Sequence, residues 1–173
     1  MLAESTTPIN ERDSARTPGH VFQYAMDQFG VFDIDLASDD MNKLCPKHFT
    51  VEDDALAQDW EEYGELGWCN PPYSDITPWL IKAHSQSHYG LSTCLLVPTL
   101  NGEKWGEFIC QTAAEIHFIF PRVNFLRPNG SVMSGNPRGS MLVWYPSNRF
   151  GYGDTPVVFH TNMKSWGGST PAA

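Results

Sequence analysis

The feature that most constrains the fold of this chain is a pair of prolines, Pro71 and Pro72, directly after the apolar run Leu66–Cys69. Each proline lacks a backbone N–H and fixes φ at about −65°, so a strand cannot continue through them. The sequence therefore predicts a strand that ends at Cys69, with Asn70 at its carboxyl end and Tyr73 just beyond. The Asn70 side-chain oxygen and the Pro71 carbonyl are hydrogen-bond acceptors, and Tyr73 has a flat aromatic face. This combination suits an NH2 group on a planar base, and a simple proline turn is the alternative.

Strand-like runs alternate with helical patterns along the rest of the chain. Helical spacing of apolar residues follows Thr17-Pro18 and Ser74-Asp75, which we interpret as helix starts, and recurs between Trp105 and Ala113. The strand-like runs are 31–37, 66–69, 92–97, 115–120 and 141–145. This alternation predicts an α/β domain with a mostly parallel sheet. We expect residues 1–16 to be a flexible start, 17–150 the domain, 38–65 an irregular stretch within it, and 151–173 a tail-like extension.

Polar side chains follow two of the predicted strands where those strands end. Asp33 and Asp35 come at the end of the first strand, and Asn70 follows the second. Ligands bind outside the carboxyl ends of the strands in open α/β sheets, so we expect these residues to face one crevice. Asp33 and Asp35 are two positions apart and would share a face of a strand. Buried carboxylates without a function are costly, which favours a small-molecule cofactor in that crevice.

The net charge argues against strong non-specific binding of nucleic acid. The chain has 20 acidic and 11 basic residues, for a formal charge of −9, whereas proteins that depend on phosphate contacts are usually basic. A local basic patch is the alternative. Arg122, Arg127 and Arg138 fall in a stretch that contains no Asp or Glu, and this stretch is the predicted DNA contact.

The cysteines and the apolar runs indicate the compartment. Four cysteines are widely spaced without a CxxC pair, which is typical of a reduced compartment. Cys45 and His48 could open a zinc site, but no second pair completes it, so no metal is expected. No apolar run approaches the roughly 20 residues of a membrane span. We therefore expect a cytoplasmic protein without membrane contact.

An ordered set of short segments extends from Thr17 to Tyr145. Its members are Thr17-Pro18, Phe32-Asp33-Ile34-Asp35-Leu36-Ala37, Asn42-Lys43-Leu44-Cys45, Phe49-Thr50, Asp54-Ala55-Leu56, Trp60, Asn70-Pro71-Pro72-Tyr73-Ser74, Trp79, Leu96-Val97-Pro98 and the stretch from Arg122 to Phe125. With these segments the chain resembles the phage-type DNA N6-adenine methyltransferases, the Dam-like family of bacteriophages and prophages. One departure from the wider methyltransferase superfamily is that no G-x-G loop follows Asp35; Ala37-Ser38-Asp39 stands there instead.

The resemblance implies a Rossmann-like fold and methyl transfer from S-adenosylmethionine to N6 of an adenine flipped out of double-stranded DNA. In this interpretation Asn70 and Pro71 hold the amine, Tyr73 stacks on the base, and Pro72 completes the catalytic turn. The resemblance also implies cofactor contacts for six residues. These are Thr17, Pro18, Asp33, Asp35, Ala37 and Asp54.

Other functions use the same motif. Cytosine N4, an RNA base or a glutamine amide could be the methylated amine, and the acidic charge slightly favours a protein substrate. An inactive S-adenosylmethionine-binding module is the alternative from a different class. The family-specific segments favour DNA, and retention of the whole Asn-Pro-Pro-Tyr motif argues against an inactive module.

Overall fold

The computed structural model describes residues 13–100, 102–133, 136–148 and 152–164, which form a mixed α/β domain. The helices are α1 (Gly19–Phe29), α2 (Thr77–Ser87) and α3 (Lys104–Thr112). The strands are β1 (Ile34–Asp35), β2 (Lys47–His48), β3 (Leu66–Cys69), β4 (Ser92–Pro98), β5 (Glu115–Phe120), β6 (Ser140–Tyr145) and β7 (Val157–Asn162). Two short 3-10 turns lie at Ala55–Ala57 and Trp60–Glu62.

The strands form one sheet in the order β2-β1-β3-β4-β6-β5-β7. Pairing is parallel from β2 through β4 and between β5 and β7, and β6 runs antiparallel between β4 and β5. The prediction of a mostly parallel sheet is confirmed. The strands other than β6 therefore end at a common margin of the sheet, which we call the carboxyl edge.

Helices cover both faces of the sheet. Alternate residues of a strand point to opposite faces, and in β4 Cys94 and Leu96 pack with α1 while Leu95 and Val97 pack with α2 and α3. Burial of both faces explains why β4 is an almost continuous apolar run. Each fully buried Leu or Val stabilises the fold by roughly 1.5–3 kcal/mol.

Two helix starts differ from the sequence prediction. Helix α1 begins at Gly19 with Pro18 as its N-cap residue, one position later than Thr17-Pro18 indicated, and Gly30 is its C-cap residue. Helix α2 has Ile76 as its N-cap residue, so the predicted cap at Ser74 or Asp75 is wrong. The side chain of Ser74 binds elsewhere, as described below.

The irregular segment and the predicted tail each contribute a strand. Lys47–His48 pairs with β1 inside the segment 38–65. Val157–Asn162 pairs with β5 along its whole length, so the prediction of a tail is wrong for these residues. Strand β7 is a largely exposed edge strand, which explains why its sequence lacks the apolar pattern of a buried strand. The residues 165–173 of the predicted extension lie outside the described residues.

The predicted flexible start is held in place at its last residues. Arg16 and Leu126 exchange two backbone hydrogen bonds, of 2.8 Å from the Arg16 N–H and 3.0 Å from the Leu126 N–H. Residues 1–12 of the predicted flexible start lie outside the described residues. Within the described ranges, no helix has both the length and the apolar character needed to cross a membrane.

Candidate functional site

A cleft of about 1000 Å³ opens at the carboxyl edge of the sheet. Leu36 and Ala37 line it from the end of β1, and Asn70 and Pro72 line it from the end of β3. The remaining lining residues are Asp13, Ser14, Arg16, Ser38, Asp39, Asp40, Met41, Asn42, Phe49, Thr50, Val51, Glu52, Asp54, Ala55, Leu56, Ser74, Trp79 and Pro128. The volume and the mixture of apolar and polar walls are typical of a small-molecule site.

The amide of Asn70 has a fixed orientation at this cleft. Its Nδ2 atom donates a 2.9 Å hydrogen bond to the carbonyl oxygen of Ala15. Only the NH2 end of the amide can donate to a carbonyl, so Oδ1 is left as an acceptor. The Pro72 carbonyl accepts the Asp75 N–H at 3.3 Å, whereas the Pro71 carbonyl accepts no hydrogen bond from the described residues. Neither predicted acceptor is occupied by a described donor, and of the two residues Asn70 lines the cleft.

Residues 13–16 lie across the Asn-Pro-Pro-Tyr turn, and we call them the N-terminal strap. The carboxylate of Asp13 accepts the Ser74 N–H at 3.1 Å and the Ser74 hydroxyl at 2.6 Å. Ala15 binds Asn70, and Arg16 pairs with Leu126. The strap thus connects the turn to the loop that follows β5.

Tyr73 packs into the interior beside the turn. Its hydroxyl donates to the Leu96 carbonyl at 3.4 Å, and its ring meets Phe125 edge-on, with 5.8 Å between centroids. Burial raises the pKa of the Tyr73 hydroxyl, so the phenol is neutral at physiological pH. Neither Pro71 nor Tyr73 is among the residues that line the cleft. Stacking of Tyr73 on a base stays a prediction.

The structure does not bring Asp33 to the cleft. Strand β1 begins only at Ile34, and Asp33 lies before it, at the opposite end of the strand from the carboxyl edge. Its Oδ2 atom accepts the backbone N–H groups of Glu65 and Leu66 at 2.8 and 3.0 Å. Asp33 is exposed whereas Asp35 is buried, so the two do not share an environment. The carboxylate of Asp33 fixes the start of β3.

Asp35 supports the cleft from behind. It is only 3% exposed, and its carboxylate accepts the N–H groups of Leu44 at 3.0 Å and Ala37 at 3.4 Å. Burial raises the pKa of Asp35 from 3.8 to about 6, against the opposing effect of these hydrogen bonds. Asp35 itself does not line the cleft. Its hydrogen-bond partner Ala37 does, and so does Asn42, two residues before its other partner Leu44.

The remaining predicted cofactor residues divide into two groups. Ala37 and Asp54 line the cleft, and Asp54 adopts a left-handed backbone conformation with φ of 48°. Thr17 and Pro18 are buried and are not lining residues. The Pro18 carbonyl accepts the N–H of Val21 at 3.0 Å as α1 begins, so this pair fixes the chain directly after the strap.

Sequence reasoning missed Asp13 and Arg16. Both lie in a polar segment without periodicity, and the one signal that could have found them is their position just before Thr17-Pro18. The sequence pattern alone indicates no site role for Phe49 or Trp79. Both line the cleft and also pack with the buried cluster under α2 and α3.

The cleft is acidic. Its described lining contains five carboxylates but a single cationic side chain, that of Arg16. The carboxylates are Asp13, Asp39, Asp40, Glu52 and Asp54. A ligand with positive charge is favoured in this field, and a polyanion is not.

The three predicted DNA-contacting arginines lie in the loop between β5 and β6, which borders the cleft. Arg122 donates to the Asn136 carbonyl at 3.3 Å and Arg127 to the Val132 carbonyl at 2.9 Å. Arg138 pairs with Glu103 at 3.0 Å. The same loop contains Leu126, which pairs with the strap, and Pro128, which lines the cleft.

The Cys45 and His48 pair does not form part of a metal cluster. Among the described residues, no group of three or more His, Cys, Asp or Glu side chains could hold a metal ion. The imidazole of His48 contacts Asp40 at 2.9 Å, and burial raises the pKa of the Cys45 thiol to about 12.

A mostly parallel sheet covered on both faces, a cleft at its carboxyl edge and an Asn-Pro-Pro-Tyr turn beside that cleft define a Rossmann-like amino-methyltransferase. The model of the family described as DNA N-6-adenine-methyltransferase (Dam) matches residues 4–167, and the chain belongs to this family. It is 31% identical over 172 residues to the DNA N-6-adenine-methyltransferase of Haemophilus phage HP1 (strain HP1c1), covering 96% of this chain and 98% of that protein. It is 33% identical over 154 residues to the Escherichia phage T1 protein of the same name, covering 80% and 64% respectively. No solved structure matches the chain significantly.

Proposed function

We propose that this chain is an adenine-specific DNA methyltransferase that transfers a methyl group from S-adenosylmethionine to the N6 amine of adenine. The observation that carries the proposal is the Asn70 amide, whose NH2 end is bound by the Ala15 carbonyl at 2.9 Å and whose oxygen is available at the cleft. Membership in the family supports adenine in DNA as the substrate.

Two acceptors suit the chemistry of an exocyclic amine. The nitrogen lone pair of such an amine is delocalised into the ring, which makes it a poor nucleophile. Asn70 Oδ1 and the Pro71 carbonyl each accept one N–H of the amine, which favours a more tetrahedral nitrogen and directs its lone pair. Such positioning is a major source of catalysis because it removes the entropic cost of alignment.

A strong base is not required. The S–C bond breaks and S-adenosylhomocysteine leaves as the nitrogen gains the methyl group, and the cationic, acidic nitrogen then releases its proton to solvent. The two ionisable side chains tied to the turn are already engaged, because Asp13 binds Ser74 and the neutral Tyr73 hydroxyl donates to Leu96. The chain would therefore act by orienting the amine.

The cleft suits S-adenosylmethionine, which supplies an electrophilic methyl group when it is bound. Apolar side chains suited to a purine line part of it, and carboxylates suited to ribose hydroxyls and an ammonium group line the rest. Ala37 and Asp54 are the predicted residues that would contact the cofactor. Thr17, Pro18 and Asp35 would act indirectly by fixing the backbone around it, and Asp33 is left out of the proposed site. The apolar residues are Leu36, Phe49, Leu56 and Trp79.

DNA is proposed to approach from the side of the basic loop. Arg122, Arg127 and Arg138 would contact phosphates, which are repelled by the acidic lining of the cleft. The adenine must leave the duplex to reach Asn70, and Tyr73 would have to turn out of the interior to stack on it. A local basic surface of this kind reconciles the acidic chain with a DNA substrate.

The test is incubation of the protein with S-adenosylmethionine and unmethylated DNA, followed by mass spectrometry of the nucleosides. We expect N6-methyladenine from the unmodified protein and from Asn162→Ala, an exposed control on β7, but not from Asn70→Ala. Appearance of N4-methylcytosine, or of methyl groups only in RNA or protein tested in parallel, would contradict the proposal. Binding of cofactor without any transfer would indicate an inactive module.

A further inference from the structure

The side chain of Arg16 has no partner within the described protein. Its Nε atom is fully buried and makes no hydrogen bond, and the guanidinium forms no ion pair with a described residue. The residue nevertheless lines the cleft. A buried donor left unsatisfied costs about 1–3 kcal/mol, and the unpaired guanidinium belongs to a residue that lines the cleft, where a ligand can supply an acceptor.

Among the described residues, no carboxylate of the cleft lining forms an ion pair with Arg16. Asp13 is bound to the backbone and hydroxyl of Ser74, Asp39 accepts the Met41 N–H at 2.8 Å, and Asp40 contacts His48. A guanidinium presents a planar fork of donors whose best match is a carboxylate or a phosphate. The missing partner of Arg16 is therefore an anionic group.

We propose that Arg16 binds the α-carboxylate of the methionine part of S-adenosylmethionine, an inference that rests on the proposed function. The strap places Arg16 next to Ala15, the residue that holds the Asn70 amide. The methyl group must reach an amine at Asn70, and in the cofactor only three carbon atoms separate the sulfur from the carboxylate. The residue that binds the carboxylate must accordingly lie close to Asn70, as Arg16 does.

The charge of the cleft favours this ligand over a DNA phosphate. The sulfonium and ammonium groups of the cofactor are both cationic, and its carboxylate is the single anion. Five lining carboxylates face one arginine in the described part of the cleft. This field attracts the two cations and leaves Arg16 as the site for the one anion, whereas a phosphate chain would meet net repulsion.

The inference is tested by calorimetric binding without DNA, which does not depend on turnover. The probes are S-adenosylhomocysteine, which has the carboxylate, and decarboxylated S-adenosylmethionine, which lacks it. We expect Arg16→Gln to bind S-adenosylhomocysteine about tenfold more weakly and decarboxylated S-adenosylmethionine as tightly as the unmodified protein does, with Arg16→Lys between. Lys104→Gln, an exposed cation on α3, is the matched control and should change neither constant.

The ratio of the two dissociation constants within one variant does not depend on how much of that variant is folded. An unchanged ratio in Arg16→Gln overturns the assignment. If the KM for DNA is raised as well, the partner of Arg16 is a phosphate of DNA instead. Cofactor binding that shifts as expected, with no methylation of DNA, would overturn the proposed function and uphold Arg16. If the unmodified protein binds neither probe, the proposed function and the assignment of Arg16 are both wrong.

Discussion

The Nδ2 atom of Asn70 lies 2.9 Å from the carbonyl oxygen of Ala15, a residue 55 positions earlier in the chain. The side chain proposed to hold the substrate amine is thus oriented by the N-terminal strap. Strand β3 places Asn70 at the carboxyl edge but does not orient its side chain. The proposed catalysis by this turn would depend on two separate parts of the chain.

Asn70→Ala should lower kcat by about 100-fold or more, because the amine loses an acceptor and its alignment. The affinity for S-adenosylhomocysteine should change by less than about twofold, since the proposed partner of Asn70 is the amine. Single-turnover methylation and calorimetry separate the two effects. Loss of cofactor affinity with turnover retained at saturation would show that Asn70 belongs to the cofactor site instead.

Asp13→Ala should lower kcat by several-fold, because the strap loses both hydrogen bonds to Ser74. Asp13→Asn keeps a side-chain acceptor and should restore most of the activity. The double variant Asp13→Ala/Ser74→Ala should be no slower than Asp13→Ala alone, since the two residues form one contact. Steady-state rates at saturating DNA and cofactor measure this, and additive losses would argue against the strap.

Asp33→Ala should lower the free energy of unfolding by about 1 kcal/mol, because the N–H groups of Glu65 and Leu66 lose their side-chain acceptor. The affinity for S-adenosylhomocysteine should stay the same, because Asp33 does not line the cleft. Urea denaturation and calorimetry test the two statements together. Weaker cofactor binding at unchanged stability would restore the role that the sequence suggested.

The free energy of unfolding of Asp35→Asn should increase relative to that of the unmodified protein as the pH rises. The folded-state pKa of Asp35 is raised from 3.8 to about 6, so the folded protein holds this proton more tightly than the unfolded chain does. The resulting stabilisation of the unmodified protein is fully present below pH 3.8 and is lost as the pH rises through 6. The amide does not titrate. The unfolding free energy of Asp35→Asn minus that of the unmodified protein should increase between pH 4 and 7 by up to about 3 kcal/mol.

Urea denaturation at several pH values measures this difference. Asn162→Ala, an exposed change without an ionisable group, is the control and should show a difference that stays nearly constant. A constant difference for Asp35→Asn as well would show that Asp35 ionises in the folded protein as it does in the unfolded chain.

Native alkylation with N-ethylmaleimide should modify Cys110 alone. Cys110 is exposed, whereas Cys45, Cys69 and Cys94 are buried. Burial also raises the pKa of these three thiols, and the thiolate is the reactive form. Intact mass should show one adduct under native conditions and four in denaturant, matching the four cysteines of the chain. Rapid native labelling of Cys69 would indicate that the Asn70 turn opens.

The sequence predicted those parts of the fold that depend on local chemistry. The strand Leu66–Cys69 has the predicted bounds because the prolines after it forbid any continuation. The strap could not be predicted, since its contact between Asp13 and Ser74 spans 61 positions and follows no periodic pattern. The prediction that Asp33 and Asp35 share a face of one strand failed because β1 is only two residues long and does not include Asp33.

The backbone pairing of Arg16 with Leu126 joins the proposed cofactor site to the loop that carries the arginines proposed to contact DNA. A shift of that loop on binding DNA would act on the residue proposed to hold the methionine end of the cofactor. Under thermodynamic linkage, whatever factor DNA adds to cofactor affinity, the cofactor adds to DNA affinity. Cofactor affinity measured with and without DNA would show whether this pair of hydrogen bonds couples the two proposed sites.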